Sequence, residues 1–180
     1  MKADLRDVTF MIPIQIDSIV RLENVLACIR YLLQHFDTYI LLLEAQPFNN
    51  GVLQRLIPAK VWYVFVEDED TVFYRTKYLN EMTRQSGMPF LGIWDADVII
   101  PKEQILDAVQ KLRENYEVAY PYQEDCFLDT TDIIRKLFLM RKNIQVLKRN
   151  RDKMYLIYGK GMKGGAILVN REAYKSRYGK

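Results

Sequence analysis

Short apolar runs separated by stretches of helical period restrict this chain more than any other feature. Residues 8–14, 39–43 and 61–66 are too short for buried helices and rich in the aliphatic and aromatic side chains of strands. Between the first two, Asp17-Ser18 offers an N-cap to a helix whose apolar positions Leu22, Val25, Leu26, Ile29, Leu32, Leu33 and Phe36 recur on one face. A second helical pattern spans 74–85 and breaks at Gly87. A third spans 102–115, with Ile105, Ala108, Val109 and Leu112 on one side. Residues 118–122 and 166–169 read as further strands, and a last helix starts near Arg171. This alternation predicts an α/β fold, a mainly parallel sheet with helices on both faces. The 180 residues, 49% of them hydrophobic, suit one domain over residues 1–180 with a sizeable core.

The run from Phe90 to Trp94 continues into Asp95-Ala96-Asp97 and then Val98-Ile99-Ile100, between Pro89 and Pro101. Two carboxylates one residue apart, at the end of a parallel strand, stand where such sheets bind ligands. Carboxylates are hard oxygen donors, so the pair suits Mn²⁺ or Mg²⁺ sharing its shell with diphosphate oxygens and water. The sequence contains neither a Gly-x-Gly-x-x-Gly after the first strand nor a Walker A loop. A nucleotide would therefore be held through the metal and scattered side chains.

The 26 basic and 23 acidic residues leave a net charge of +3, which gives no reason to expect a nucleic-acid partner. Cys28 and Cys126 lie far apart without a Cys-x-x-Cys pair, and His35, on the first helix, reads as structural. A zinc cluster or disulfide framework is excluded, and a reducing compartment is expected. No signal core precedes the first strand and no apolar run is long enough to span a bilayer, so the expected location is cytoplasmic. Residues 130–150 form a long amphipathic helix or two, with Arg135, Lys136, Arg141, Lys142, Lys148 and Arg149, followed by Arg151 and Lys153. Such a basic segment, 135–153, is either a solvated cationic face or a peripheral contact with the inner face of a membrane or an anionic acceptor.

Three segments carry a family resemblance. Phe73-Tyr74-Arg75-Thr76-Lys77-Tyr78-Leu79-Asn80 is similar to Phe-Asn-Arg-Ala-Lys-Leu-Leu-Asn, and Ile93-Trp94-Asp95-Ala96-Asp97-Val98-Ile99-Ile100-Pro101 to Phe-Ser-Asp-Val-Asp-Leu-Ile-Pro. Lys163-Gly164-Gly165-Ala166-Ile167-Leu168-Val169-Asn170-Arg171-Glu172-Ala173-Tyr174 is similar to Phe-Gly-Gly-Val-Ser-Ala-Leu-Ser-Lys-Glu-Gln-Phe. In this order the set resembles the inverting GT-A glycosyltransferases, most narrowly the β-1,4-galactosyltransferase group and the related bacterial chondroitin-type polymerases. The resemblance implies a GT-A fold and transfer of a sugar from a UDP-sugar donor to a saccharide acceptor. It places Pro13, Ile14, Gln15 and Asp17 under the uracil and ribose, with Glu44 a candidate partner of the base. It also brings Phe73, Arg75 and Asn80 to the nucleotide, and Ala96, Lys163, Gly164 and Gly165 to the nucleotide-sugar. Asp97 would bind the metal directly, and Asp95 would hold the ribose or a metal-bound water.

The family has arginines in the first loop where this chain has Gln15 and Asp17, and the polymerase branch is closer there. Residues 130–153 have no clear counterpart and read as an acceptor-side helical insertion. The chain ends at Lys180, before the family's Trp-Gly-x-Gly-x-Glu-Asp-Asp stretch, so the catalytic base is expected beyond Lys180. Two other classes stay open: a non-catalytic nucleotide-sugar-binding module of a larger polysaccharide-synthesis protein, and a nucleotidyltransferase. The latter would be expected to carry a basic, glycine-rich loop after its first strand, where this chain has Met11-Ile12-Pro13-Ile14-Gln15-Ile16.

Overall fold

The computed structural model describes residues 1–122, 127–158 and 164–178, and its first four strands follow the alternation read from the sequence. β1 (Ala3–Ile14), β2 (Phe36–Gln46), β3 (Trp62–Glu67) and β4 (Phe90–Trp94) are mutually parallel. Helix α1 (Ile19–His35) joins β1 to β2, the short α2 (Val52–Leu56) lies before β3, and α3 (Arg75–Gln85) joins β3 to β4. After α4 (Lys102–Arg113) come β5 (Val118–Ala119) and β6 (Phe127–Asp129). Helices α5 (Asp132–Arg141) and α6 (Gln145–Arg149) and a 3₁₀ turn (Arg151–Lys153) lead to β7 (Tyr155–Tyr158), β8 (Ala166–Asn170) and α7 (Arg171–Tyr178).

The main sheet runs in the order β3-β2-β1-β4-β8-β5, with β8 antiparallel to both its neighbours. From β1 the chain winds outward through β2 to β3, then returns to place β4 on the other side of β1. The carboxyl ends of β1 and β4 therefore flank the point where the winding reverses, the crevice in which such sheets take ligands.

Each face of the sheet is closed by its own layer. Phe10, Ile12, Leu42 and Trp94 pack with Val25, Ile29 and Leu32 of α1 and Ile105 and Val109 of α4. Met11, Leu41, Leu43, Leu91 and Ile93 pack with Tyr78, Leu79 and Met82 of α3. Burial on both faces explains why these strands read as unbroken apolar runs instead of alternating ones. Gly92 is required at its place, because a Cβ there would stand 2.7 Å from Cδ1 of the buried Phe10 ring. Ser18 caps α1 as expected, its Oγ accepting from the Arg21 N–H at 3.2 Å. His35 ends that helix with its ring 4.6 Å from that of Tyr31, and burial lowers its pKa.

The structure departs from the sequence reading mainly after Tyr122. The basic segment forms two helices, because Lys142 adopts a left-handed conformation (φ 51°) and its N–H closes α5 on the Phe138 carbonyl. Strands β6 and β7 pair antiparallel in a separate two-stranded ribbon, so residues 130–154 are an excursion between paired strands. Strand β1 begins at Ala3 instead of residue 8, and β5 keeps only two residues of the expected 118–122. Cys126 and Lys163 lie outside the described residues.

Candidate functional site

The site is built around the turn that leaves β4. Trp94 is fully buried, with its ring edge-on to Phe10, and its Nε1–H donates to the Val98 carbonyl at 3.0 Å. The Cys28 thiol approaches the same carbonyl at 3.6 Å, and the Tyr31 hydroxyl donates to the Ile100 carbonyl at 2.8 Å. Two residues of α1 and the last residue of β4 thus fasten the backbone that carries Asp95, Ala96 and Asp97. Burial is the main reason that the Cys28 and Tyr31 pKa values are raised, so both remain protonated donors at neutral pH.

The Asp95 N–H donates to the Gly165 carbonyl at 2.8 Å, and the Val98 N–H returns to the Asp95 carbonyl at 3.3 Å. Gly165 has φ of +80°, a conformation that side chains other than Gly and Asn rarely take. The Tyr122 hydroxyl donates to the Gly164 carbonyl at 2.6 Å. Gly164 and Gly165 therefore stand beside the paired carboxylates, as the start of β8 lies against the end of β4.

Arg75 opens α3, and its guanidinium reaches Asp95 Oδ1 at 2.6 Å. Both side chains are about two-fifths exposed, and an exposed pair is worth only about 0–1 kcal/mol. A ligand with its own charges can therefore displace that contact cheaply. Asp97 is accessible to solvent, but protein crowds its carboxylate; this desolvation, followed by the Asp95 charge, raises its pKa above the ordinary carboxylate value. Two like charges one residue apart, one of them paired with Arg75, form an oxygen-donor set suited to a hard divalent ion. Among the described residues no group of three or more His, Cys, Asp or Glu is gathered, so a metal here would need oxygens from its ligand and water.

The loop after β1 lies at the neighbouring strand end. Pro13 and Ile14 are buried in β1, opposite Leu43 and Glu44 of β2. Gln46 fastens this loop by donating from Nε2 to the Ile16 carbonyl at 2.7 Å. Gln15 is half-buried, and Asp17 is exposed, 3.2 Å from Arg21 on its own helix. Glu44 is buried and accepts from the Tyr63 hydroxyl at 2.7 Å. Phe73 packs on Tyr78, with ring centroids 4.9 Å apart.

Two residues of the matched helix segment face elsewhere. Asn80 accepts from the Tyr174 hydroxyl at 3.3 Å and so joins α3 to α7. Lys77 is bonded at 2.6 Å to Asp68, which also accepts from Tyr78 at 2.8 Å; these bonds, that from Lys77 foremost, hold the Asp68 pKa down at about 2. Trp94, Tyr31, Gln46 and Tyr122 were not legible as site residues. Trp94 adjoins the acidic motif and gave the one local signal, whereas the others act from remote parts of the chain.

No family model matches the chain, and no curated protein sequence matches it. Solved structures do share its fold. The Mycobacterium tuberculosis glucosyl-3-phosphoglycerate synthase in complex with UDP aligns with a TM-score of 0.51 at 14% identity, over 93% of this chain and 58% of its own. A mannosyltransferase from Pyrobaculum calidifontis, in complex with GDP-Man and Mn²⁺, aligns at 0.54 and 15% identity, over 94% and 46%. A CMP:2-keto-3-deoxy-manno-octonic acid synthetase with CTP aligns at 0.55 and 11%, over 94% and 76%. The chain spans about half the length of the two sugar transferases. It has the GT-A, nucleotide-diphospho-sugar transferase fold that the sequence resemblance implied.

Proposed function

We propose that the chain is the donor-binding part of an inverting glycosyltransferase that uses a UDP-sugar, a divalent metal and a saccharide acceptor. The observation that carries this reading is the fastened turn at the sheet's reversal point, where Asp95 meets both Arg75 and Gly165 and Asp97 follows two residues on. The mannosyltransferase of this fold, in complex with GDP-Man and Mn²⁺, supports a metal-dependent donor site. The narrower assignment to the galactosyltransferase and chondroitin-polymerase group rests on the three sequence segments alone.

Asp97 would hold Mn²⁺ or Mg²⁺, with Asp95 binding the ribose or a metal-bound water; the ion would offset charge growing on the departing diphosphate. Arg75, at the amino end of an eleven-residue helix, is placed to turn from Asp95 towards a phosphate, which the helix terminus also favours. Gln46 would keep the loop from Pro13 to Asp17 in shape beneath the nucleoside, and Glu44, buried on the Tyr63 hydroxyl, would reach the base only if that contact opened. The glycine at 165 would let the backbone approach the donor closely.

The likeness to the CTP-bound synthetase favours a second reading, a nucleotidyltransferase, which would take a nucleoside triphosphate. The deciding experiment is a thermal-shift series with UDP-sugar, UDP, CDP and CTP, each with Mn²⁺ and with EDTA. A ligand that binds only the native state stabilises by about 2.7 kcal/mol at a hundredfold excess over Kd. Stabilisation by UDP-sugar and UDP with Mn²⁺ alone is expected, and is lost in Asp97→Asn. Stabilisation by CTP instead of UDP would transfer the site to the second reading, and equal stabilisation in EDTA would remove the metal.

A further inference from the structure

Residues 132–157 carry apolar surface that no other part of the described molecule covers. In α5, Ile133, Leu137 and Met140 fall at i, i+4 and i+7 and so share one face of the helix. Ile133 and Met140 are 78% and 77% exposed and Leu137 is 36% exposed. The opposite face of the same helix is already used: Ile134 and Phe138 are buried, and Arg135 bonds Glu23 of α1 at 2.8 Å. The outward stripe is therefore left over after folding. At the far end of the excursion three consecutive residues of β7, Tyr155, Leu156 and Ile157, are all at least half exposed. Tyr155 pairs with Asp129, three residues before α5 begins, so strand and helix leave the ribbon at one end.

The charge around this surface selects its partner. Residues 130–158 hold eight basic residues and two acidic ones, whereas the whole chain is only +3, so the remainder is net negative. Lys136 and Arg141 flank the apolar stripe of α5, and Lys148 and Arg149 follow on α6; all four are exposed. A purely solvated cationic face would carry no outward Ile, Leu and Met, and an acidic protein partner would meet the cations without needing that stripe. Apolar side chains rimmed by Lys and Arg on a helix too short to cross a bilayer are the pattern of an element lying in the interface of an anionic membrane. No helix among the described residues is long and apolar enough to span one.

We propose that the excursion between β6 and β7 is a docking surface for an anionic lipid bilayer. Ile133, Leu137 and Met140 enter the headgroup boundary, and Lys136, Arg141, Lys148 and Arg149 meet the lipid phosphates. This surface requires nothing of the donor site and stands or falls apart from it.

The test is co-sedimentation of the chain with vesicles of phosphatidylcholine alone and of phosphatidylcholine mixed with phosphatidylglycerol, at low and high salt. Retention on the mixed vesicles is expected, weakened about tenfold or more on neutral vesicles or at high salt. The variant K136E/R141E/K148E and the variant I133S/M140S should each lose retention while melting like the parent, since every changed side chain is exposed. Equal retention on both vesicle types, or undiminished retention of either variant, would overturn the proposal. So would a soluble polyphosphate that binds the chain when vesicles do not. Failure to bind vesicles, together with a dimer in sedimentation velocity that I133S/M140S abolishes, would assign the surface to a second copy.

Discussion

Residues 40–43 and 155–157 are sequences of the same kind, and the fold treats them in opposite ways. Ile40-Leu41-Leu42-Leu43 in β2 is at most 2% exposed throughout, whereas Tyr155-Leu156-Ile157 in β7 is 50–68% exposed. Strand β2 lies between β1 and β3 with a helical layer on each face, so each of the side chains at 40–43 finds a packed neighbour. Among the described residues, strand β7 has one partner strand in a separate ribbon, and its residues 155–157 are exposed whichever face they point to. The lesson is that an apolar run states only that burial is needed; the number of layers around it decides whether folding alone supplies that burial.

The comparison breaks most visibly by truncation. Phe10→Ala, in the fully buried layer against α1, should cost about 3–5 kcal/mol in urea unfolding, while Leu156→Ala should stay within about 0.5 kcal/mol. A comparable loss in both would mean that the ribbon is packed as tightly as the sheet. Adding volume is the next largest effect. Gly92→Ala drives a Cβ into the Phe10 ring, and overpacking of this sort typically costs about 1–3 kcal/mol. Wild-type stability in that variant would show that the Phe10 layer can shift.

A smaller effect isolates the fastened turn. Trp94→Phe keeps a buried aromatic ring, though a smaller one, and removes the N–H that meets Val98, a loss of about 1 kcal/mol for the bond with a cavity term added to it. Amide exchange at residues 95–98 should rise with little change elsewhere in β4. The smallest effect depends on pH. Bonds from Lys77, the Asp70 N–H and Tyr78 lower the Asp68 pKa in the folded state, so this contribution is intact above the ordinary carboxylate pKa. It is lost as pH falls towards about 2. The stability gap between the parent and Asp68→Asn, followed by urea midpoint, should therefore close over that acidic range. A constant gap would assign the effect to packing.

What the sequence made legible follows the same division. The first four strands, the Ser18 cap and the helix faces were readable because short-range periodicity records burial on a layered sheet. The ribbon was not, since β6 and β7 are three and four residues long and lie on either side of a 25-residue excursion. Pairing over that separation leaves no local pattern. In the site, Asp95 and Asp97 stood out because chemistry and strand end coincide in one motif. Cys28 and Tyr31 stand 70 and 69 residues from the carbonyls they meet, and Asn80 meets Tyr174 across 94 residues. Such contacts arise from topology, and residue type alone does not announce them.

The bonds from Trp94, Cys28 and Tyr31 also decide when the acidic turn becomes ordered. A free loop with two neighbouring carboxylates would keep them apart and would have to gather them as each ligand arrives. Here the turn is set once α1 docks on the sheet, so the donor we propose would meet a shaped receptor and lose less conformational freedom. The same arrangement makes α1 an indirect handle on affinity. A change at Tyr31, buried and far along the chain from either aspartate, should alter how fast a ligand leaves before it alters how fast one arrives.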